Sequence, residues 1–191
     1  MNHAGKIGDL LERISTLFRN EVRQAGLSHG LHPVHLEVLF YLNRCNQFSD
    51  TPASVKDFLG ATKGTTSQSI SLLEKKGYLL KTKDEQDKRV FHLSLTQAGQ
   101  EVATSSMPPP SLRQALSRYG DDVSSQLTQQ LEQLLINIQT ETSHTGFGTC
   151  KTCKFHRTEN KQTFFCELTQ MTLPTPHGEL ICREHVVPDA G

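Results

Sequence analysis

The stretch GATKGTTSQSISLLEKKGYLLKTKDEQDKRVFHLSLTQAGQEV, residues 60–102, opens with a helical pattern whose surface is unusually polar. Thr62 has the side chain of a helix N-cap, and Gly77 provides a C-terminal stop. The buried side of the helix is supplied by Ile70, Leu72 and Leu73. This pattern predicts one helix between Thr62 and Gly77.

The exposed face of this helix carries short hydrogen-bonding side chains. Between Thr62 and Ser71 it has one cation, Lys63, and no carboxylate. Short hydroxyl and amide groups let a helix approach phosphates and base edges closely, and a glutamine such as Gln68 can bind adenine through two hydrogen bonds. A solvated polar face is the alternative, and the helix alone leaves both interpretations open.

The second half of the stretch has the pattern of a β-hairpin. The runs YLLKTK (78–83) and VFHLSL (90–95) flank the polar tip DEQDKR (84–89). Residues 60–95 contain seven basic and four acidic side chains, a local excess of three positive charges in a chain whose formal net charge is zero. Such a concentration of positive charge favours a polyanionic partner.

Three helices are predicted upstream. Apolar residues recur every three or four positions from residue 7 to residue 22, as on one side of a helix. Pro33 suits the first turn of a second helix, and a third begins after Ser49 or Thr51 and ends at Gly60. The third helix and the helix between Thr62 and Gly77 form a helix-turn-helix, and the hairpin that follows them forms a wing.

Over roughly residues 7–140 the chain resembles the MarR family of winged helix-turn-helix transcription regulators. LLEKKGYL resembles the end of the family's recognition helix, DEQDKR its wing tip, and SLTQAGQEV the strand that leads into the next helix. The resemblance implies binding to double-stranded DNA, through residues that we number here in this sequence: Lys63, Thr65, Thr66, Ser67, Gln68, Ser71, Lys88 and Arg89.

The resemblance also assigns roles within this set. Lys63, Thr66, Ser67 and Gln68 would enter the major groove, whereas Arg89 would reach the minor groove. Asp87 would orient Arg89 rather than touch DNA. The chain departs from the family at Gln68, where a basic residue is common, and at Gly64, which reduces the expected share of phosphate contacts.

A helical dimerisation region is predicted around the winged domain. The prolines at 108–110 end the preceding helix. In the long helix that follows, residues 121–142, apolar residues recur every three or four positions and form a stripe along one side. The resemblance implies that this stripe and the one in residues 7–22 form a homodimer, which would read a near-palindromic DNA site. The alternative is that both stripes pack into the core of one chain.

The last quarter of the chain is a cysteine-rich tail that the family resemblance does not cover. It contains Cys150, Cys153, Cys166 and Cys182. A Cys-x-x-Cys pair with two later cysteines is typical of a metal site, and a tail with few apolar runs needs such a staple to fold. We therefore predict two domains, residues 1–143 and 144–191, and a fold that is mainly α with a small β wing and a metal-stapled tail.

The sequence leaves the metal open. Phe147, Phe155, Phe164, Phe165, Leu168 and Ile181 lie near the cysteines. An apolar shell of this kind favours an iron–sulfur cluster that senses iron, oxygen or redox state. Zn²⁺ in a structural tail that docks a partner is the alternative, and a metal-free thiol switch is another. His185 is the strongest competing ligand among the nearby histidines.

Composition limits the other function classes. No apolar run is long enough for a membrane span, and the N-terminus lacks the pattern of a secretory signal, so we expect a cytoplasmic protein without membrane partners. No catalytic dyad or phosphate-binding glycine loop is present, so we do not expect an enzyme. The sequence thus predicts a homodimeric transcription regulator whose tail modulates DNA binding.

Overall fold

The protein is described by a computed structural model that covers residues 2–141 and 146–188. The helices in this part of the chain are α1 His3–Leu27, α2 Pro33–Leu42, α3 Pro52–Leu59, α4 Lys63–Lys75, α5 Gln97–Ser106, α6 Pro110–Leu116 and α7 Asp121–Glu141. The strands are β1 Leu79–Lys83, β2 Phe91–Leu95, β3 Gly148–Thr149, β4 His156–Thr158, β5 Thr163–Cys166, β6 Met171–Pro174 and β7 Ile181–Cys182.

The helix-turn-helix is formed by α2, α3 and α4, as the sequence predicts. Thr51 caps α3 by accepting the Ser54 N–H at 3.2 Å, and Thr62 caps α4 by accepting the Thr65 N–H at 3.2 Å. Between the two helices Gly60 has φ +60°, a left-handed conformation that is costly for residues with a Cβ. These caps determine where α3 ends and α4 begins.

The wing is the predicted hairpin, with β1 and β2 antiparallel and Leu79 opposite Leu95. It is attached to the residue just before the α3 cap in two ways. The Leu93 N–H donates to the Asp50 carbonyl at 2.8 Å, and His92 Nδ1 lies 2.5 Å from Asp50 Oδ1. The backbone and a side chain of β2 therefore hold the wing against the start of α3.

The core of the winged domain is centred on α2. Four of its side chains, Leu36, Val38, Leu39 and Tyr41, are completely buried. Burial of a large apolar side chain stabilises the fold by about 1.5–3 kcal/mol. The Tyr41 hydroxyl donates to the Ser49 carbonyl at 2.7 Å, so the polar end of this buried ring is also satisfied.

The apolar stripes of α1 and α7 are exposed in the single chain. The exposed large side chains include Ile7, Leu10, Leu11, Ile14 and Leu17 on α1 and Val123, Leu127, Leu131 and Leu135 on α7. The alternative that both stripes form an intrachain core is therefore wrong. These surfaces are available for another molecule.

The tail contains more β-structure than the sequence indicates. β4, β5 and β6 form a three-stranded antiparallel sheet, and β3 pairs with β7. Cys150, Phe164 and Leu173 form a small buried cluster beneath it, to which the winged domain contributes Phe48. The predicted boundary between residues 143 and 144 lies outside the described residues.

No helix in the described part of the chain is long and apolar enough to cross a membrane.

The contact between His92 and Asp50 should make the attachment of the wing pH-dependent. The hydrogen bond to Asp50 raises the pKa of His92 above its ordinary value of 6.5, although burial also raises the pKa of the Asp50 carboxyl and offsets part of the gain. The pKa of His92 is higher in the folded protein than in the unfolded chain. The stabilisation from its contact with Asp50 is therefore fully present below pH 6.5 and is lost as pH rises through the pKa of His92 in the folded protein.

We therefore predict that His92→Gln lowers the free energy of unfolding by about 1 kcal/mol or less in mildly acid buffer, and by less at about pH 9. Urea denaturation of both proteins at the two pH values measures this difference. Asp50→Asn is the control, since His92→Gln should have a smaller effect in that background, where only the contact of His92 Nε2 with Asp84 Oδ2 at 3.2 Å remains. An equal cost at both pH values would contradict the prediction.

Candidate nucleic-acid interface and the cysteine cavity

The exposed face of α4 presents most of the residues that the sequence assigns to DNA. Lys63, Ser67 and Ser71 are exposed and line one groove. Gln68 is also exposed but does not line that groove, so it is presented on another part of the helix surface. The helix thus offers a cation and two hydroxyls to the groove and an amide beside it.

Two threonines of the predicted set have local structural roles. The Thr65 hydroxyl lies 3.0 Å from the Thr62 hydroxyl and belongs to the N-cap of α4. Thr66 is only 3% exposed, and its hydroxyl donates to the Thr62 carbonyl at 3.0 Å. Thr66 therefore lines the same groove as Lys63 but is too buried to reach out from α4 as the expected major-groove contact would.

The wing tip holds Arg89 through an ion pair with Asp87. Arg89 Nε donates to Asp87 Oδ1 at 3.0 Å and Arg89 Nη2 to Asp87 Oδ2 at 3.0 Å. This bidentate pair matches the expectation that Asp87 orients Arg89. The Arg89 side chain is 90% exposed, and the Lys88 ammonium is bound to the Asp84 carbonyl at 3.0 Å.

A groove of about 630 Å³ lies between α3, α4 and the wing. Among the described residues that line it, five are cations and none is an acid: Lys56, Lys63, Lys81, Arg89 and Arg183. A concave cationic surface beside a polar helix attracts a phosphate backbone. Below, we call this surface the cationic groove.

Three of these cations are absent from the set predicted for DNA. Lys81 lies on β1, inside the segment 60–95 whose excess of positive charge could have indicated it, whereas Lys56 lies on α3, outside that segment. Arg183 belongs to the tail, and no pattern in the sequence connects it to the winged domain. Arg183 Nη2 lies 2.6 Å from Asp57 Oδ2, and Lys56 and Arg183 together hold the pKa of the Asp57 carboxyl below its usual range.

The four cysteines of the tail line one cavity of about 30 Å³, the cysteine cavity. Its other lining residues are Asn46, Phe48, Phe155, His156, Phe164, Leu168, Thr169, Leu173 and Glu184. The structure thus brings Cys150, Cys153, Cys166 and Cys182 to a common site, with Asn46 and Phe48 contributed by the winged domain.

Hydrogen bonds converge on the sulfur atoms. The Asn46 amide donates to Cys150 Sγ at 3.4 Å, and the Val186 N–H donates to Cys153 Sγ at 3.5 Å. The hydrogen bond between Cys150 and Cys182 lowers the pKa of Cys182 and raises that of Cys150. Cys182 is therefore the thiol of this pair that ionises first.

The histidines are arranged differently from the sequence-based expectation. His185 is 4% exposed, but its Nε2 lies 2.9 Å from the Thr152 hydroxyl and it does not line the cysteine cavity. His156 does line the cavity and stacks on Phe164, with ring centroids 4.4 Å apart. The Nδ1 atoms of His156 and His185 are both buried without a hydrogen-bond partner in the described structure, so only the position beside the thiols separates the two rings. His156 is thus better placed than His185 to compete as a ligand.

The apolar residues that the sequence places near the cysteines do not all surround the cysteine cavity. Phe155, Phe164 and Leu168 line the cavity as predicted. Phe147 instead packs into the core of the winged domain, 5.1 Å from the ring of Phe58, and Ile181 packs against the same core. The shell around the thiols is therefore smaller than the sequence suggests.

The thiols have the chemistry of a soft-metal site but are not yet arranged as one. No group of three or more His, Cys, Asp or Glu side chains within residues 2–141 and 146–188 has the arrangement of a metal-binding site. The proton that Cys150 and Cys182 share would have to leave before both sulfur atoms could bind a metal ion. Four thiols around one largely apolar cavity nevertheless fit a thiolate-bound centre.

The tail docks on the connection between α2 and α3, residues 43–51. The Ile181 N–H donates to the Arg44 carbonyl at 2.7 Å, and the Asn46 N–H donates to the Ile181 carbonyl at 2.9 Å. The Arg183 N–H donates to the Ser49 hydroxyl at 2.9 Å. The cysteine-rich tail therefore contacts the segment that leads into α3 of the helix-turn-helix.

Comparison with known proteins supports the winged domain. Residues 34–108 match the family model described as "Winged helix DNA-binding domain". The transcriptional repressor MprA from Escherichia coli is 27% identical over 118 residues, which span 59% of this chain and 65% of MprA. The chain therefore aligns with just under two thirds of this relative's length.

Solved structures have the same fold. A MarR transcriptional regulator from Methanosarcina mazei Go1 is 22% identical with a TM-score of 0.59, over 71% of this chain and 98% of that one. S. aureus MepR in its DNA-binding conformation is 23% identical with a TM-score of 0.58, over 70% of this chain and 98% of that one. The chain thus contains a winged helix DNA-binding domain with MarR-type structural neighbours, and the named regulators are not enzymes.

The different positions of Gln68 and Arg89 predict two kinds of binding defect. Gln68→Ala should relax the preference for one base in each half-site by about 1–3 kcal/mol. Arg89→Ala should weaken binding without changing base preference at that position, because the guanidinium lies at the wing tip. Fluorescence anisotropy on duplexes selected from random sequence, with single-base variants, measures both effects.

Ser94→Ala on β2 is a control that changes an exposed side chain outside the cationic groove. Identical binding by wild type, Gln68→Ala and Arg89→Ala across all duplexes would show that α4 and the wing do not read DNA in this way.

Proposed function

We propose that the protein is a cytoplasmic, homodimeric DNA-binding transcription regulator of the MarR type, with activity modulated by its cysteine-rich tail. The cationic groove carries this proposal, because it lies between a polar helix and a wing and has five positive side chains on its lining. The winged helix match over residues 34–108 and the similarity to a transcriptional repressor support it.

In this proposal α4 enters the major groove and the wing follows the adjacent minor groove. Gln68 binds a base edge, and Lys63, Ser67 and Ser71 contact the DNA backbone. The two hydrogen bonds from Arg89 to Asp87 orient the guanidinium towards the minor groove. Phosphate contacts determine register and affinity, whereas base contacts determine sequence preference. The structure of MepR in a DNA-binding conformation is consistent with this use of the shared fold.

The dimer is supported by the exposed stripes of α1 and α7. Leu131 is 46% exposed and Leu135 is 52% exposed in the single chain. A continuous apolar surface of this kind is costly in water unless a partner covers it. A second copy of the chain would cover it symmetrically and would place two copies of α4 against a near-palindromic site.

We predict that Leu131→Asp with Leu135→Asp converts the protein to a monomer, because the charges would be buried in the interface. Sedimentation velocity measures the change in mass, and operator affinity should fall with it. Gln129→Asp with Gln133→Asp, on the opposite side of the same helix and with the same spacing, is the charge-matched control. A wild-type protein that is monomeric at micromolar concentration would contradict the dimer and the two-fold site together.

For the tail, we propose that Cys150, Cys153, Cys166 and Cys182 hold an iron–sulfur cluster. When bound, such a cluster supplies a centre whose charge and integrity respond to iron, oxygen and redox state. The chain contributes soft thiolates, the apolar neighbours Phe155, Phe164 and Leu168, and N–H donors from Asn46 and Val186. Hydrogen bonds to sulfur stabilise the thiolate form and tune the potential of a centre.

A structural Zn²⁺ in the same four-cysteine site is the second candidate, and the volume of the cavity favours it. About 30 Å³ is close to the space of one water molecule, so a single ion requires less displacement of the thiols than a cluster. In that case the tail would be a fixed docking element for a partner rather than a sensor.

A redox-sensitive cluster would act on DNA binding through residues 43–51. Asn46 donates its side-chain amide to Cys150, while its carboxamide oxygen accepts the Phe48 N–H at 3.1 Å. Ser49 accepts both the Tyr41 hydroxyl and, through its own hydroxyl, the Arg183 N–H. A change in the position of the thiols would therefore be transmitted directly to the start of α3.

We predict that Cys166→Ala removes the bound centre and its effect on DNA. Anaerobically purified wild type should contain iron and sulfide and absorb visible light, and loss of the cluster should change operator affinity by about five- to hundred-fold. Cys45→Ala is the matched control, since Cys45 packs against the winged core outside the cysteine cavity.

Colourless protein with one zinc per chain, and with operator affinity indifferent to oxidant, would favour the structural Zn²⁺ instead. Protein without any metal under anaerobic conditions would contradict both centres. DNA binding by the winged domain would remain a separate question in each case.

A further inference from the structure

We infer that Arg183 of the tail is a DNA-backbone contact, so that the cationic groove of the winged domain is completed by the cysteine-rich tail. This inference rests on the proposed DNA-binding function. It adds a contact that comes from outside the matched residues 34–108.

The first argument is the position of the side chain. Arg183 lines the cationic groove together with Lys63 and Ser67 of α4 and Arg89 of the wing. It provides one of the five positive charges there, and its side chain is 38% exposed. A phosphate that enters between α4 and the wing would therefore meet Arg183 on the α3 side of the groove.

The second argument is that the main chain around Arg183 is fixed. Its N–H is bound to the Ser49 hydroxyl, and the neighbouring Ile181 is bound to backbone groups of Arg44 and Asn46. A long side chain on an anchored backbone loses less conformational freedom when it binds an anion. The tail thus supplies a preorganised cation and not a loose basic segment.

The ion pair with Asp57 leaves Arg183 with capacity for another partner. Arg183 Nη2 contacts Asp57 Oδ2 at 2.6 Å, but the same carboxylate also binds Lys56 at 2.7 Å. A guanidinium has five N–H donors in a planar fork, which matches phosphate oxygens well. Asp57 can therefore position Arg183 at the edge of the groove as Asp87 positions Arg89.

The test is the salt dependence of DNA binding by full-length Arg183→Gln. Glutamine removes the charge and keeps a donor for Asp57, so docking of the tail should survive. The slope of log affinity against log salt should fall by about one for each protomer bound, with a similar loss of roughly ten-fold on selected and unrelated duplexes. The probes are labelled duplexes, one selected from random sequence and one unselected, titrated in potassium chloride.

Arg157→Gln is the matched control, because Arg157 is another arginine of the tail in an ion pair, with Glu167 at 2.9 Å, and it does not line the groove. Arg183→Lys keeps the charge and should keep the wild-type slope. A role limited to docking the tail would instead make Lys and Gln equally damaging, and thermal unfolding of each variant shows whether the fold is kept.

The outcomes separate the two proposals. Wild type that binds DNA while Arg183→Gln keeps the full slope overturns the contact and leaves the regulator function standing. An equal fall of the slope for Arg157→Gln also overturns it, because the effect would then be one of net charge. Wild type that binds neither duplex overturns the proposed DNA-binding function itself.

Discussion

The connection between α2 and α3, residues 43–51, is the part of the molecule on which the other elements depend. The core reaches it through the Tyr41 hydroxyl on the Ser49 carbonyl. The wing reaches it through the Leu93 N–H on the Asp50 carbonyl. The tail reaches it through Ile181, whose backbone pairs with that of Arg44 and Asn46. Nine residues thus determine how three parts of the chain are placed around α3, and a displacement there cannot remain local.

The elements of the winged domain follow from the sequence because their determinants are local. Thr51 and Thr62 cap α3 and α4 with their own side chains, and Gly60 tolerates a left-handed conformation because it has no Cβ. Each determinant lies within a few residues of the backbone on which it acts. The hairpin and the Asp87–Arg89 pair are equally short-range. The burial of the Thr66 side chain was less predictable. Small polar residues occur on both sides of α4, and packing against the core determines which of them face inward.

The tail could be predicted only as a cysteine pattern, because its structure depends on contacts across the whole chain. Arg183 and Asp57 are 126 positions apart, and Asn46 and Cys150 are 104 apart. Spacing indicated that the four cysteines would converge, and they do line one cavity. It could not distinguish His156 from His185 or show that Phe147 leaves the tail for the winged core. Short strands of two to four residues also carry too little periodic signal to be recognised.

The packing of Phe147 has a consequence for the winged domain as a separate unit. Phe147 lies beyond the matched residues 34–108 and packs edge-on against Tyr41 and Phe58, whose rings also contact each other. An appendage that only sat on the surface could be removed without uncovering the core beneath it. Here the tail covers two rings of the winged core, so the stability of the winged domain depends in part on a segment outside it.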